Sequence, residues 1–176
     1  MKFLKIMAVL TLLTGFQVNA NTITINLDST NVEVGSTINV TLLANFTDMV
    51  DTIQFDFNFD TSLFGFVDGS ATSDLSNDLV DYFLDIVANP TGVGIGYFTF
   101  ADFAFGSFTL ASFDLVALQT GVSDFSLDSL MLSNVLFGED YQLAPVTAQS
   151  AKVPVPATLG LFTIALFGVM CLRRKA

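Results

Sequence analysis

Carboxylates are the only plentiful reactive side chains in the body of this 176-residue sequence. It has no histidine, and its single cysteine, Cys171, sits in an apolar run near the C-terminus. Imidazole-based triads and the usual histidine or cysteine zinc sites are therefore excluded. No lysine lies within 21–151, so no Schiff base can form there. Two chemistries remain for acids alone. One is a carboxylate pair of the kind that hydrolyses glycosides; the other is capture of a hard cation by converging oxygens. Glu33 and Glu139 are the only glutamates, the first at an expected turn and the second at the edge of an expected linker. Asp48 and Asp51 share one loop, and Asp74, Asp78 and Asp81 share another stretch, but neither follows EF-hand spacing. A solvated acidic surface accounts for them. Calcium is the cation weighed for them; no metal set and no catalytic residue is assigned, and the chain is expected not to be an enzyme.

The distribution of charge excludes a further class. All 17 acidic residues and none of the six basic ones fall within 21–151, which gives that region a formal charge of −17 against −11 for the whole chain. Such a surface repels phosphate backbones, so no nucleic-acid partner is expected, and it attracts cations and basic proteins. A stacking platform for sugars needs an aromatic ring in water. There is no tryptophan, and the tyrosines are Tyr82, Tyr97 and Tyr141. Tyr97 lies on the parity opposite to Phe98 and Phe100, which places it outward if those phenylalanines are core. Gly92, Gly94 and Gly96 are not a phosphate loop, since neither lysine nor helix follows. They read as a strand that needs close backbone approach or sharp twist.

The elements that position these residues read as β throughout. Ile23, Ile25 and Leu27 alternate with polar residues, as do Ile38, Val40 and Leu42 beyond a Gly35-Ser36 turn. Ile53, Phe55, Phe57 and Phe59 share one face of the clearest strand, with Gln54, Asp56 and Asn58 on the other. Further strands are expected at 63–67, 82–87, 93–100, 106–118 and 124–132, with one or two helical turns as an alternative over 78–87. The stretch 106–118 changes phase between Leu110 and Phe113, so a β-bulge near Ala111-Ser112 is expected. Many short strands between Gly, Asn, Asp and Ser clusters indicate a two-sheet sandwich. Fifteen of the 19 phenylalanines lie in this region, and no disulfide is available, so phenylalanine burial must hold it together.

The two ends follow other rules. Lys2 and Lys5 precede an apolar stretch, and Val18-Asn19-Ala20 offers small residues, which together make residues 1–20 a signal peptide cut between Ala20 and Asn21. Near the other end, Pro154 and Pro156 keep Val153-Pro154-Val155-Pro156 extended. The apolar run 157–172 follows, about 24 Å long as a helix. Arg173-Arg174-Lys175 closes it as a stop that stays cytoplasmic. The organisation expected is signal peptide 1–20, sandwich 21–138, linker 139–152 and tail 153–176, the last made of motif 153–156, transmembrane helix 157–172 and basic end 173–175.

Two resemblances rest on these residues. Pro154-Val155-Pro156, Thr158-Leu159-Gly160-Leu161, Leu166-Phe167-Gly168 and Arg173-Arg174-Lys175 stand in the order of the PEP-CTERM sorting signal of Gram-negative bacteria, with Val155 where the usual motif has glutamate. That resemblance implies an exosortase-type processing protease as partner, membrane anchoring through the tail helix, and export to the cell surface or an extracellular matrix linked to exopolysaccharide and biofilm. Val32-Glu33-Val34-Gly35-Ser36, then Ile53 to Asp60, then Leu63-Phe64-Gly65-Phe66 resembles the opening of a cohesin-like domain, with Phe59-Asp60-Thr61 where that family has Tyr-Asp-Pro. Phe108 to Leu118, Gly121 and 125–132 resemble its second half. This implies an all-β, nine-stranded jelly-roll sandwich related to carbohydrate-binding modules. The leading functional expectation is a non-catalytic surface or matrix protein that binds polysaccharide or a protein partner. The alternatives are a docking module for a dockerin-bearing protein and a cryptic glycosidase.

Overall fold

The computed structural model describes residues 21–75, 81–141, 143 and 149–154. The expected signal peptide, Asp78, Val155, Pro156, the run 157–172 and Arg173-Arg174-Lys175 lie outside the described residues. Two antiparallel sheets face each other. One contains β1 (Thr22–Leu27), β2 (Thr37–Val50), β7 (Ala104–Ala117) and β4 (Phe64–Phe66) in that order. The other runs β10 (Gln149–Val153), β8 (Gly121–Asn134), β3 (Thr52–Asn58), β6 (Gly92–Thr99) and β5 (Tyr82–Asn89), with the short β9 (Glu139–Tyr141) also on β8. The expected all-β sandwich is present, with ten strands among the described residues rather than nine. Residues 82–89 are strand and not helical turns.

Alternation decides which side chains meet. Ile53, Phe55, Phe57 and Phe59 are buried between the sheets, as their parity requires. Phe57 is the hub. Its ring stacks on Phe125 at 5.6 Å and 11°, and meets Phe113 edge-on at 5.4 Å. Phe64 and Phe59 close around Phe125 at 5.7 and 6.3 Å. Each such pair adds about 0.5–1.5 kcal/mol to the burial of its apolar area. The phase change in β7 is a bulge, because Leu42 pairs with Ala111 but Leu43 pairs with Thr109. Leu110 is the extra residue, so the bulge sits one position before the expected pair. Both Leu110 and Ala111 are buried, which is how one strand feeds the core from both parities.

The expected linker 139–152 is corrected by two strands. β9 pairs with the end of β8, and β10 pairs with its beginning, Val153 against Gly121 and Gln149 against Phe125. Ala151 and Val153 are buried in the core. Ala-x-Val spacing gives this short segment an inward apolar parity that its Ser and Lys neighbours conceal. Val153 therefore ends the sandwich as well as opening the expected sorting motif.

Candidate functional site

The outward face of β8-β3-β6-β5 is the most differentiated surface of the molecule, and β6 sets its shape. Val93, Ile95, Tyr97 and Thr99 are buried, so Gly94, Gly96 and Phe98 point outward. This corrects the expectation for Tyr97. The inward parity of β6 is fixed by Val93 and Ile95, and Tyr97 shares it. Burial accordingly pushes the Tyr97 phenol above its usual range. Parity with Val93 and Ile95 was the signal in the sequence; reading Phe98 as core hid it.

Pairing builds the face row by row. Phe98 lies between Thr52 of β3 and Phe83 of β5. Gly96 lies between Gln54 and Asp85, and Gly94 between Asp56 and Val87. On β8, Met131 pairs with Gln54 and Asp128 with Asp56, across a bulge that holds Ser129 at φ 54°. A side chain at Gly96 would meet nothing within 4 Å. The missing side chains leave a groove of about 440 Å³ over β6, bordered by Thr52, Gln54, Phe83, Asp85 and Phe98. Phe83, Val87 and Met131 are each more than two-fifths exposed on this face, and Phe100, at 58% exposed, packs edge-on against Phe98 at 4.6 Å.

The expected close backbone approach is met at Gly92 alone, where a Cβ would fall on the carbonyl oxygen of Phe57. Gly94 does something else. The Asn89 amide donates to Asp56 across it at 2.8 Å, joining β5 to β3, and a Cβ at Gly94 would lie 3.6 Å from both partners. Asn58 donates to Asp128 at 3.4 Å. Asp56, Asp85, Asp124 and Asp128 thus share one sheet with no basic side chain among them. The one basic residue of this sheet among the described residues is Lys152 of β10, at the sheet's margin, paired with Val122 of β8.

Three of the acids weighed for cation binding, Asp48, Asp51 and Asp74, are hydrogen-bond acceptors within the fold. Asp51 is fully buried, and its carboxylate accepts from the Thr52 hydroxyl at 2.8 Å and the backbone N–H groups of Val135 and Leu136 at 2.9 and 3.0 Å. It therefore holds the turn after β8. Asp48 accepts from the Asn21 amide at 3.0 Å, and Asp74 accepts from the Thr109 N–H at 2.6 Å. Among the described residues no three His, Cys, Asp or Glu side chains converge on a point that could hold a metal. Glu33 is exposed in the turn before β2, and Glu139 accepts from the Tyr141 hydroxyl at 2.6 Å. The two glutamates are on separate parts of the chain and share no partner, so no glycosidase pair is assigned to them.

The Cohesin domain family matches residues 23–149, most of the chain. The chain belongs to the cohesin family. Residues 152–175 match the PEP-CTERM protein-sorting motif, a signal for export and membrane-associated sorting in Gram-negative bacteria. Among solved structures, a cohesin module from a family 33 glycoside hydrolase of Clostridium perfringens is similar at TM-score 0.61 and 16% identity, covering 76% of this chain and 96% of that one. A non-cellulosomal cohesin from the archaeon Archaeoglobus fulgidus is similar at 0.62 and 13%, covering 81% and 97%. The sixth cohesin of Acetivibrio cellulolyticus scaffoldin B, solved in complex with a Cel5 dockerin mutant, is similar at 0.60 and 14%, covering 77% and 100%. At these identities the likeness is one of fold. A comparison with curated protein sequences finds no match. Cohesin domains are non-catalytic protein-interaction modules. Among the described residues no helix is long and apolar enough to cross a membrane.

Proposed function

We propose that this cohesin-family chain is an exported docking module that captures a basic, dockerin-like protein on the outward face of β8-β3-β6-β5. The observation that supports this most is the glycine groove over β6. It gives the sheet a recess rimmed by Phe83, Phe98 and Asp85, with Asp56 and Asp128 paired on the neighbouring strands of the same sheet. Apolar anchors inside a charged rim are the anatomy of a protein interface. The absence of basic residues from 21–151 favours a cationic partner, because complementary charge steers encounter and fixes register. The dockerin seen with a structurally similar cohesin supplies the partner class.

Sorting is the second half of the proposal. The signal peptide ends at Ala20, the mature chain starts at Asn21, and an exosortase-type protease acts on the tail at Val153-Pro154-Val155-Pro156, with Arg173, Arg174 and Lys175 as the cytoplasmic stop. The start at Asn21 is supported by the way the fold uses it. Asn21 is buried, and its side-chain oxygen accepts from the Thr47 N–H at 2.9 Å.

Calorimetric titration of the purified protein with a panel of dockerins tests the docking face. Binding is expected for a basic member, lost in Phe83→Asp and Gly96→Arg without change in the far-UV spectrum. Glycan-array binding that survives Phe83→Asp, with no dockerin captured, would replace this reading by polysaccharide binding. Leu166→Asp tests the tail, since a charge at the centre of an inserting helix costs about 2.5–3.5 kcal/mol. Membrane fractionation should find this variant released or mislocalised; partition identical to wild type refutes the anchor.

A further inference from the structure

The last strand of the sandwich and the first residues of the sorting motif are the same residues. The motif match starts at Lys152, yet Lys152 and Val153 are the end of β10. Both edges of this strand are occupied. On one side it pairs with β8, Ala151 against Ser123 and Val153 against Gly121. On the other, the Lys152 N–H donates to the Thr30 carbonyl at 2.9 Å, and the Lys152 carbonyl accepts from the Val32 N–H at 3.0 Å. The Ala151 and Val153 side chains are each 2% exposed. Pro154 is the first exposed residue without strand pairing. From Pro154 to Pro156 the chain spans at most about 10 Å, so almost no spacer separates the sandwich from the apolar run.

An extended substrate is recognised through its main-chain N–H and C=O groups, as an added strand. A segment whose two edges are already bonded cannot be bound that way. We propose that β10 sets the limit of tail processing: the folded sandwich withholds the peptide bonds of β10 up to Val153, the chain is severed at or beyond Pro154, and β10 stays in the released domain. The cut consumes one water. The amide C–N bond breaks, its carbonyl carbon becomes a carboxylate on the domain, and its nitrogen becomes the ammonium terminus of the tail. The device has a consequence for order. A chain whose β10 has not yet docked exposes Lys152 and Val153 and is open to cleavage that removes part of its own core, so folding protects the product boundary. The inference about the processing protease rests on the sorting reading above, whereas the protection of β10 does not.

The sequence supplies a clean probe. Lys152 is the only lysine or arginine between residues 21 and 172, so trypsin has one internal site, and it lies in β10. The chain from Asn21 to Ala176 in detergent, treated with trypsin and read by intact mass, should be cut only within the basic end Arg173-Arg174-Lys175 while the Lys152–Val153 bond persists. Val153→Asp, and more mildly Val153→Ala, should loosen β10 and speed that cut by roughly 100-fold or more, because cleavage of a folded chain follows the population of its locally opened form. Prompt cutting after Lys152 in the folded wild type overturns the proposal. In a host that has the processing protease, the released domain should end at Pro154 or later; an end at Val153 or earlier also overturns it. A chain that resists trypsin at Lys152 yet is never released in that host keeps the β10 lock and refutes the sorting reading instead.

Discussion

At the scale of single residues, Phe57 and Tyr141 show how position converts chemistry into stability. Phe57 is fully buried and touches Phe59, Phe113 and Phe125, one partner from its own strand's end and two from β7 and β8. Phe57→Ala should destabilise by about 3–5 kcal/mol, the loss of transfer energy plus a cavity. Asp56→Ala, one residue away on the outer face, should cost far less. Equal shifts of the two variants in denaturant melts would show that the facing is wrong. Tyr141 makes a pH prediction. Its hydroxyl donates to Glu139, and that bond, with some burial, pushes the phenol up to about 12. The folded state therefore holds this proton more tightly than the unfolded chain, whose tyrosines titrate near 10. Its stabilising contribution is full below about 10 and lost as pH rises toward about 12. Ultraviolet titration should find a late tyrosinate step that disappears in Tyr141→Phe and moves down in Glu139→Gln. No change in Glu139→Gln would mean that the hydrogen bond is not the cause.

At the scale of elements, β6 carries both the fold and the face, and its glycines divide the two tasks. Gly92→Ala places a methyl on the Phe57 carbonyl and should destabilise measurably, because the obstacle is backbone that cannot turn aside. Gly96→Ala meets nothing within 4 Å. It should leave the melting temperature nearly unchanged while beginning to fill the groove, so its effect belongs to partner binding. A Gly96→Ala melt depressed as far as that of Gly92→Ala would remove the groove's claim to be free for function. The same strand explains what was legible in the sequence. The alternation at 53–59 announced its own facing, because only one parity there is apolar. In β6, aromatic residues stand on both parities, and glycine leaves the outer one without a polar marker, so Tyr97 was placed outward and the groove went unseen. The bulge in β7 was visible as a phase slip. β10 was missed because five residues with two inward apolar side chains hardly differ from a linker until a partner strand is known. The cluster of acids was plain in the sequence, but the duties of Asp51, Asp48 and Asp74 as acceptors depend on donors many residues distant, backbone N–H groups for Asp51 and Asp74 and the Asn21 side-chain amide for Asp48.

At the scale of the whole molecule, a formal charge of −17 over residues 21–151 makes stability and binding respond to salt in opposite directions. Folding brings these carboxylates closer together, and no basic residue within the region offsets them. Across β3 and β8, Asp56 stands directly opposite Asp128, a like-charge pairing that destabilises a sheet. Raising ionic strength from about 0.01 M to about 1 M shortens the Debye length from about 30 Å to about 3 Å. Self-repulsion is then screened, so the melting temperature should rise with sodium chloride. Capture of a basic partner on the same face draws on the same field with the opposite sign, so its association rate should fall steeply over that range. Thermal melts and stopped-flow association in one salt series separate the contributions. If the melting temperature and the association rate rise together, the acids are not what brings the partner in, and the docking face must rely on Phe83, Phe98 and the groove alone. If the melting temperature falls with salt, the carboxylates are stabilising in place, and the account of Asp56 and Asp128 as an unrelieved pair is wrong. The expected result is a chain that is most stable at the salt concentration where the proposed basic partner binds most slowly, because screening acts on self-repulsion and on attraction between the two surfaces alike.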